Sequence, residues 1–194
     1  MGAVAPIETN GGTMDVLHQF ELVGPALGGV VAGITPDQLD NATPCAKFTV
    51  RGVLEHMIGG ATVFAAAFRG EEAPAEPDVT DPLGAFGPCL GGLVAAISQP
   101  GALDRTVESP GGPMPARDFA QFIVLDATVH GWDMATATGQ DYDPDPALIE
   151  LLLGFAGPAL EGMRDGDTFA EATEAPPGAT PIQRLAALTG RTVA

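Results

Sequence analysis

Residues 119–137, Phe-Ala-Gln-Phe-Ile-Val-Leu-Asp-Ala-Thr-Val-His-Gly-Trp-Asp-Met-Ala-Thr-Ala, decide how this chain is read. Apolar residues recur there at three- and four-residue steps with no proline inside, which predicts one helix. At about 100° per residue, Phe119, Phe122, Ile123, Val129 and Ala137 share one side, and Gln121, Thr128 and Gly131 share the other. Asp126, His130 and Asp133 project into the apolar stripe. Asp126 and His130 are four apart, so they lie one turn above the other on one face. An unpaired buried carboxylate costs several kcal/mol, so ionisable groups in that stripe need a partner. A metal ion, an opposing cation or a water-filled pocket would serve. The plainer alternative is a core histidine hydrogen-bonded to the neighbouring aspartate.

Cations are scarce in this chain: eight Lys+Arg stand against 25 Asp+Glu in 194 residues, for a net charge of −17. That balance argues against nucleic-acid binding and against anionic membranes, both of which need a basic surface. Apolar content of 45% is ample for a core, and the length fits a single domain spanning 1–194. Cys45 and Cys89 do not make a disulfide framework. Residues 1–8 show no basic region followed by an apolar run, so a cytoplasmic location is expected. Residues 82–103 carry no charge, but three prolines and five glycines fit a buried soluble segment better than a membrane span.

Working outward from the central helix, residues 1–12 read as loosely attached. Thr13 or Asp15 can cap a first helix running to about Gly33, with a kink expected near Gly24-Pro25. His18 reads as an edge histidine. Thr49 caps a second helix through Arg69, whose core stripe includes Val50, Val53, Leu54, Met57, Ala61, Phe64 and Phe68. His56 projects to the flank of that stripe among small residues, and Gly59-Gly60 leave room for something to approach it. A third helix is expected from Asp81 to Ser98, with Cys89 as packing. Residues 99–115 make a long crossover that pairs as a loose hairpin around Pro110-Gly111-Gly112. Gly139 ends the site helix. A fifth helix runs from Ala147 to Met163, and a short last one from Pro181 to Leu188. The fold class is all-α: an antiparallel four-helix bundle with a short extra C-terminal helix.

Three motifs carry a resemblance. They are Thr43-Pro44-Cys45 with Thr49-Val50-Arg51 and Leu54-Glu55-His56-Met57-Ile58-Gly59-Gly60; Asp126 with His130-Gly131-Trp132-Asp133-Met134-Ala135; and Arg184-Leu185-Ala186-Ala187-Leu188-Thr189-Gly190-Arg191. Together they resemble DinB-like bacterial proteins, in the branch that shares its fold with the metal-binding domain of mycothiol-dependent maleylpyruvate isomerase. The resemblance implies a divalent metal held by His56, Asp126 and His130. Zinc is the first candidate, with nickel, iron and manganese also compatible, and a low-molecular-weight thiol is implied as cosubstrate. Two imidazoles and one carboxylate leave coordination positions open, as in catalytic zinc and non-heme iron sites. Asp133 lies about 10 Å further along the axis than Asp126, which places it to orient His130 rather than to ligate.

The expected function is therefore metal-dependent chemistry on a small molecule by thiol transfer, isomerisation or hydrolysis. The alternative is a non-catalytic metal- or ligand-binding bundle. A homodimer is compatible with either.

Overall fold

The computed structural model describes residues 14–193 except 73, 76, 78, 110, 111, 162, 163 and 165–168. The reading of residues 1–12, the alternative cap at Thr13, Pro110, Gly111 and Met163 therefore lie outside the described residues. Among the described residues six helices form where apolar periodicity and capping agree: α1 (Val16–Ala32), α2 (Val50–Arg69), α3 (Pro82–Ile97), α4 (Ala116–Thr138), α5 (Pro146–Leu160) and α6 (Pro181–Leu188). Short 3₁₀ turns occupy Pro36–Gln38 and Ala102–Asp104. Asp15, Thr49, Asp81, Asp145 and Thr180 accept backbone N–H groups at five helix starts, satisfying donors that helices otherwise leave orphaned. Gly70 and Gly139 close α2 and α4 with φ of 74° and 70°, a left-handed conformation that costs glycine little. α1 continues through Gly24-Pro25 to its expected end.

α1 to α4 form the bundle, each packed on two of the others, and α5 and α6 pair with each other beside α4. Cross-links fix two directions. His56 of α2 meets Asp126 of α4, and Phe64 of α2 meets Phe119 at a ring separation of 4.7 Å, so α2 and α4 run antiparallel. Gln19 bonds Gln121, and Val30 accepts from Gln140, so α1 runs alongside α4 in the same direction. The start of α2 thus meets the C-terminal half of α4. The long link between α3 and α4 carries the expected hairpin, with β1 (Thr106–Ser109) antiparallel to β2 (Gly112–Pro115). Among the described residues no helix is long and apolar enough to cross a membrane.

The projection put Thr128 and Gly131 on the side of α4 opposite its apolar stripe, yet both are buried. Thr128 is 0% exposed and returns its hydroxyl to the Val124 carbonyl. A Cβ on Gly131 would lie 2.6 Å from the Tyr142 hydroxyl. α4 packs against α1, α2 and α6, and Tyr142 of the segment after it lies over Gly131, so a two-sided pattern is the wrong template for it.

Candidate metal centre

Capping and loop geometry set the site before any side chain chemistry acts. The Thr49 cap fixes the start of α2, and His56 follows two turns in, on the side facing α4. Thr43 bonds the Cys45 and Phe48 carbonyls, pinning the loop that carries both. Phe48 then stacks on His56 with centroids 5.2 Å apart and an interplanar angle of 24°. Its ring also covers Gly52 at 3.2 Å from where a Cβ would stand. The space that small residues leave on this face of α2 is partly filled by Phe48.

The three residues read from the sequence come together. One ligand-capable atom from each of His56, Asp126 and His130 lies within 4.8 Å of the others. His56 Nε2 is 3.5 Å from Asp126 Oδ2, and His130 Nε2 is 3.4 Å from Asp126 Oδ1. Asp133 Oδ2 sits 2.9 Å from His130 Nδ1. Asp133 is 0% exposed and His130 3%, while Asp126 and His56 are 38% and 41% exposed at their side chains and face a cavity. Asp126 is therefore less enclosed than its helix position implied.

The matching family model is the mycothiol maleylpyruvate isomerase N-terminal domain, over residues 20–135. The chain belongs to that family. Two proteins of Mycobacterium tuberculosis, from strains CDC 1551 / Oshkosh and ATCC 25618 / H37Rv and both named as uncharacterised, are each 33% identical over 196 residues, spanning 93% of this chain and 100% of theirs. No solved structure matches it. Within the isomerase N-terminal domain family segment lie His56, Asp126, His130 and Asp133. The cation that completes the group lies beyond it.

That cation is Arg191. Its Nη2 and Nε reach Asp133 Oδ2 and Oδ1 at 2.9 and 3.3 Å, a two-pronged geometry that suits a guanidinium on a carboxylate. Gly190, at φ 92°, makes the approach possible, since a Cβ there would meet Ala170 at 2.7 Å. Arg191 N–H then bonds the Ala186 carbonyl at the end of α6. The sequence motif contained Arg191, but helix periodicity gives no sign that it returns to α4.

The electrostatics follow from these contacts. Burial pushes the Asp126 carboxyl up, but His130 and His56 outweigh it and bring it down to about 2. The Asp126 carboxylate raises the His56 imidazole above its ordinary value against the opposing effect of burial. Burial also pushes the Cys45 thiol up, with Arg191 acting against it. His18 pairs with Glu21 on the surface at 3.0 Å, and Cys89 packs against the core, as the sequence implied for each.

Proposed function

We propose that this protein is a divalent-metal-dependent enzyme that acts on a small molecule by thiol transfer, isomerisation or hydrolysis, with His56, Asp126 and His130 holding the ion. The observation that carries this is the pairing of His130. The Asp133 carboxylate only accepts, so the hydrogen bond assigns a proton to Nδ1. A neutral ring would then aim the Nε2 lone pair at Asp126 Oδ1, 3.4 Å away. Lone pair against carboxylate is repulsive, and a cation between them removes the conflict.

The donor set fits a metal on chemical grounds. Two imidazole nitrogens and a carboxylate suit zinc, with nickel, iron and manganese as alternatives. When bound, such an ion lowers the pKa of a coordinated water or thiol and polarises a carbonyl. The chain's own residues do the positioning. Asp133 and Arg191 hold the His130 ring in one tautomer and orientation. Phe48 fixes His56 by stacking, and Asp126 supplies the negative charge that favours a cation. Burial pushes the Cys45 thiol up, which makes it a poorer nucleophile. The thiol, where the reaction uses one, is then a low-molecular-weight cosubstrate. The net charge of −17 supports a small-molecule partner over nucleic acid or an anionic membrane. A cytoplasmic, single-domain protein, alone or as a homodimer, is the setting this chemistry fits.

A proton on His130 would also satisfy the geometry, and then the bundle is non-catalytic with an ion pair in place of a metal. Melting in chelator and in excess zinc, nickel, manganese or iron separates the two. At a hundredfold excess over Kd, native-state binding adds about 2.7 kcal/mol. A raised midpoint with one of these metals supports the metal site that the enzyme reading requires. Equal midpoints in every condition reject it.

A further inference from the structure

The His56, Asp126 and His130 heads open into a cavity of about 1020 Å³ whose remaining walls are mostly apolar. Along α4 it extends from His130 back to Phe119, eleven residues or about 16 Å. Phe64 of α2 and Phe86 and Leu90 of α3 line the stretch away from the cluster. Among the glycines that border it are Gly24 and Gly28 on α1, and Gly87 and Gly91 on α3. Each pair is one turn apart on one helix face. A Cβ on any of the four would meet no atom within 4 Å, so close helix packing is not what requires them. Their effect is to leave room between two neighbouring helices. Val94, 37% exposed, lines the same space. Cys45, Lys47, Arg191 and the His-Asp cluster lie together at the other extreme, while Ser109 of β1 also lines the cavity.

We infer that the substrate of this site is an amphiphile with one metal-binding polar head and a long apolar body, seated in the arm that the α1 and α3 glycines keep open. The inference rests on the metal reading above, because the head is placed on the ion. A body of about a dozen chain atoms fills about 16 Å when extended. A small, doubly charged acid would leave most of the apolar wall wet and find few cations. A second copy of this chain laid between α1 and α3 is the competing occupant. The continuity of the space with the His-Asp cluster favours a small molecule, since a helix seated there would leave that cluster unused.

The test uses acetyl, hexanoyl and dodecanoyl hydroxamic acids against the zinc-loaded full chain by calorimetry, with the matching alkanols against metal-free protein. Affinity should rise by up to about fourfold per methylene where the added group is fully buried. Gly91→Leu and, independently, Gly28→Leu should cut dodecanoyl binding at least tenfold and leave acetyl binding unchanged, with melting to show that each variant is folded. Hydroxamate affinity that does not change with chain length while zinc is bound overturns the inference and leaves the metal reading standing. Length-dependent alkanol binding with no zinc uptake rejects the metal reading and the placement of the head with it. A dimer that blocks hydroxamate binding and that Gly91→Leu dissolves would assign the space to the second copy.

Discussion

Replacing Arg191 by methionine should be the most damaging single change near the site. In the native protein Asp133 is 0% exposed and takes both guanidinium bonds, at 2.9 and 3.3 Å, besides the bond from His130. Arg191→Met keeps much of the side-chain volume and removes the charge. Stranding a buried carboxylate costs about 3–5 kcal/mol. The lower end applies because His130 remains as a donor, so a loss of about 3 kcal/mol is expected, or roughly 6–12 °C in melting midpoint for a chain of this size. Urea unfolding in chelator measures it without any contribution from metal binding. Adding Asp133→Leu should restore most of the stability, since an apolar pair can replace a buried ion pair. The same double variant should still bind metal about 10–100-fold more weakly, because His130 has lost its orienting partner. A loss below about 1 kcal/mol for Arg191→Met, the scale of a surface pair, would refute the view that Arg191 neutralises a buried charge.

Asp126→Ala should abolish metal binding and leave the bundle folded. From the helix projection alone, removing that carboxylate would stabilise the metal-free protein. Its two imidazole neighbours reverse the sign, and a loss below about 1 kcal/mol is expected for a side chain more than a third exposed; metal content and chelator-treated stability on one preparation check both points. The His56–Asp126 pair should also make metal-free stability depend on pH. Asp126 is depressed, so its contribution is present above its unfolded value of 3.8 and fades as pH falls toward about 2. His56 is raised, so its contribution is present below 6.5 and is lost as pH rises through the raised value. His56→Asn should therefore destabilise more near pH 5.5 than above about pH 8, and urea midpoints showing the opposite order would contradict the pairing. Gly131→Ala should cost about 1–3 kcal/mol because Tyr142 must move, whereas Gly87→Ala, facing open space, should stabilise α3 by about 0.5–1 kcal/mol. Thermal melts of the two variants give the contrast directly.

The helices were legible because their signals are local. Thr49, Asp81 and Gly139 announce element ends within four residues of sequence, and the backbone obeys them. His56, Asp126 and His130 were legible for a different reason: ionisable groups sit where α4 projects apolar residues, and three motifs follow in order. Arg191 was not, because its partner is 58 residues away and tertiary contacts carry no period. Phe48 lies in irregular backbone, where no template predicts the direction of a side chain. The face of α4 carrying Thr128 and Gly131 misled the projection because α4 is packed by several helices and Tyr142 of the following segment lies over Gly131. The apolar arm of the cavity was hidden in glycines that read singly as weak points of helices, and their common role emerges only when α1 and α3 stand side by side.

The central claim is that His56, Asp126 and His130 hold one divalent ion. Elemental analysis of protein purified without a metal-affinity tag, run in parallel on His130→Ala, tests it most directly. The account predicts close to one equivalent of metal per chain, zinc first, and loss of that metal in the variant. Metal-free wild-type protein that takes up none of the four candidate ions on dialysis, or a variant that keeps its metal, would contradict it.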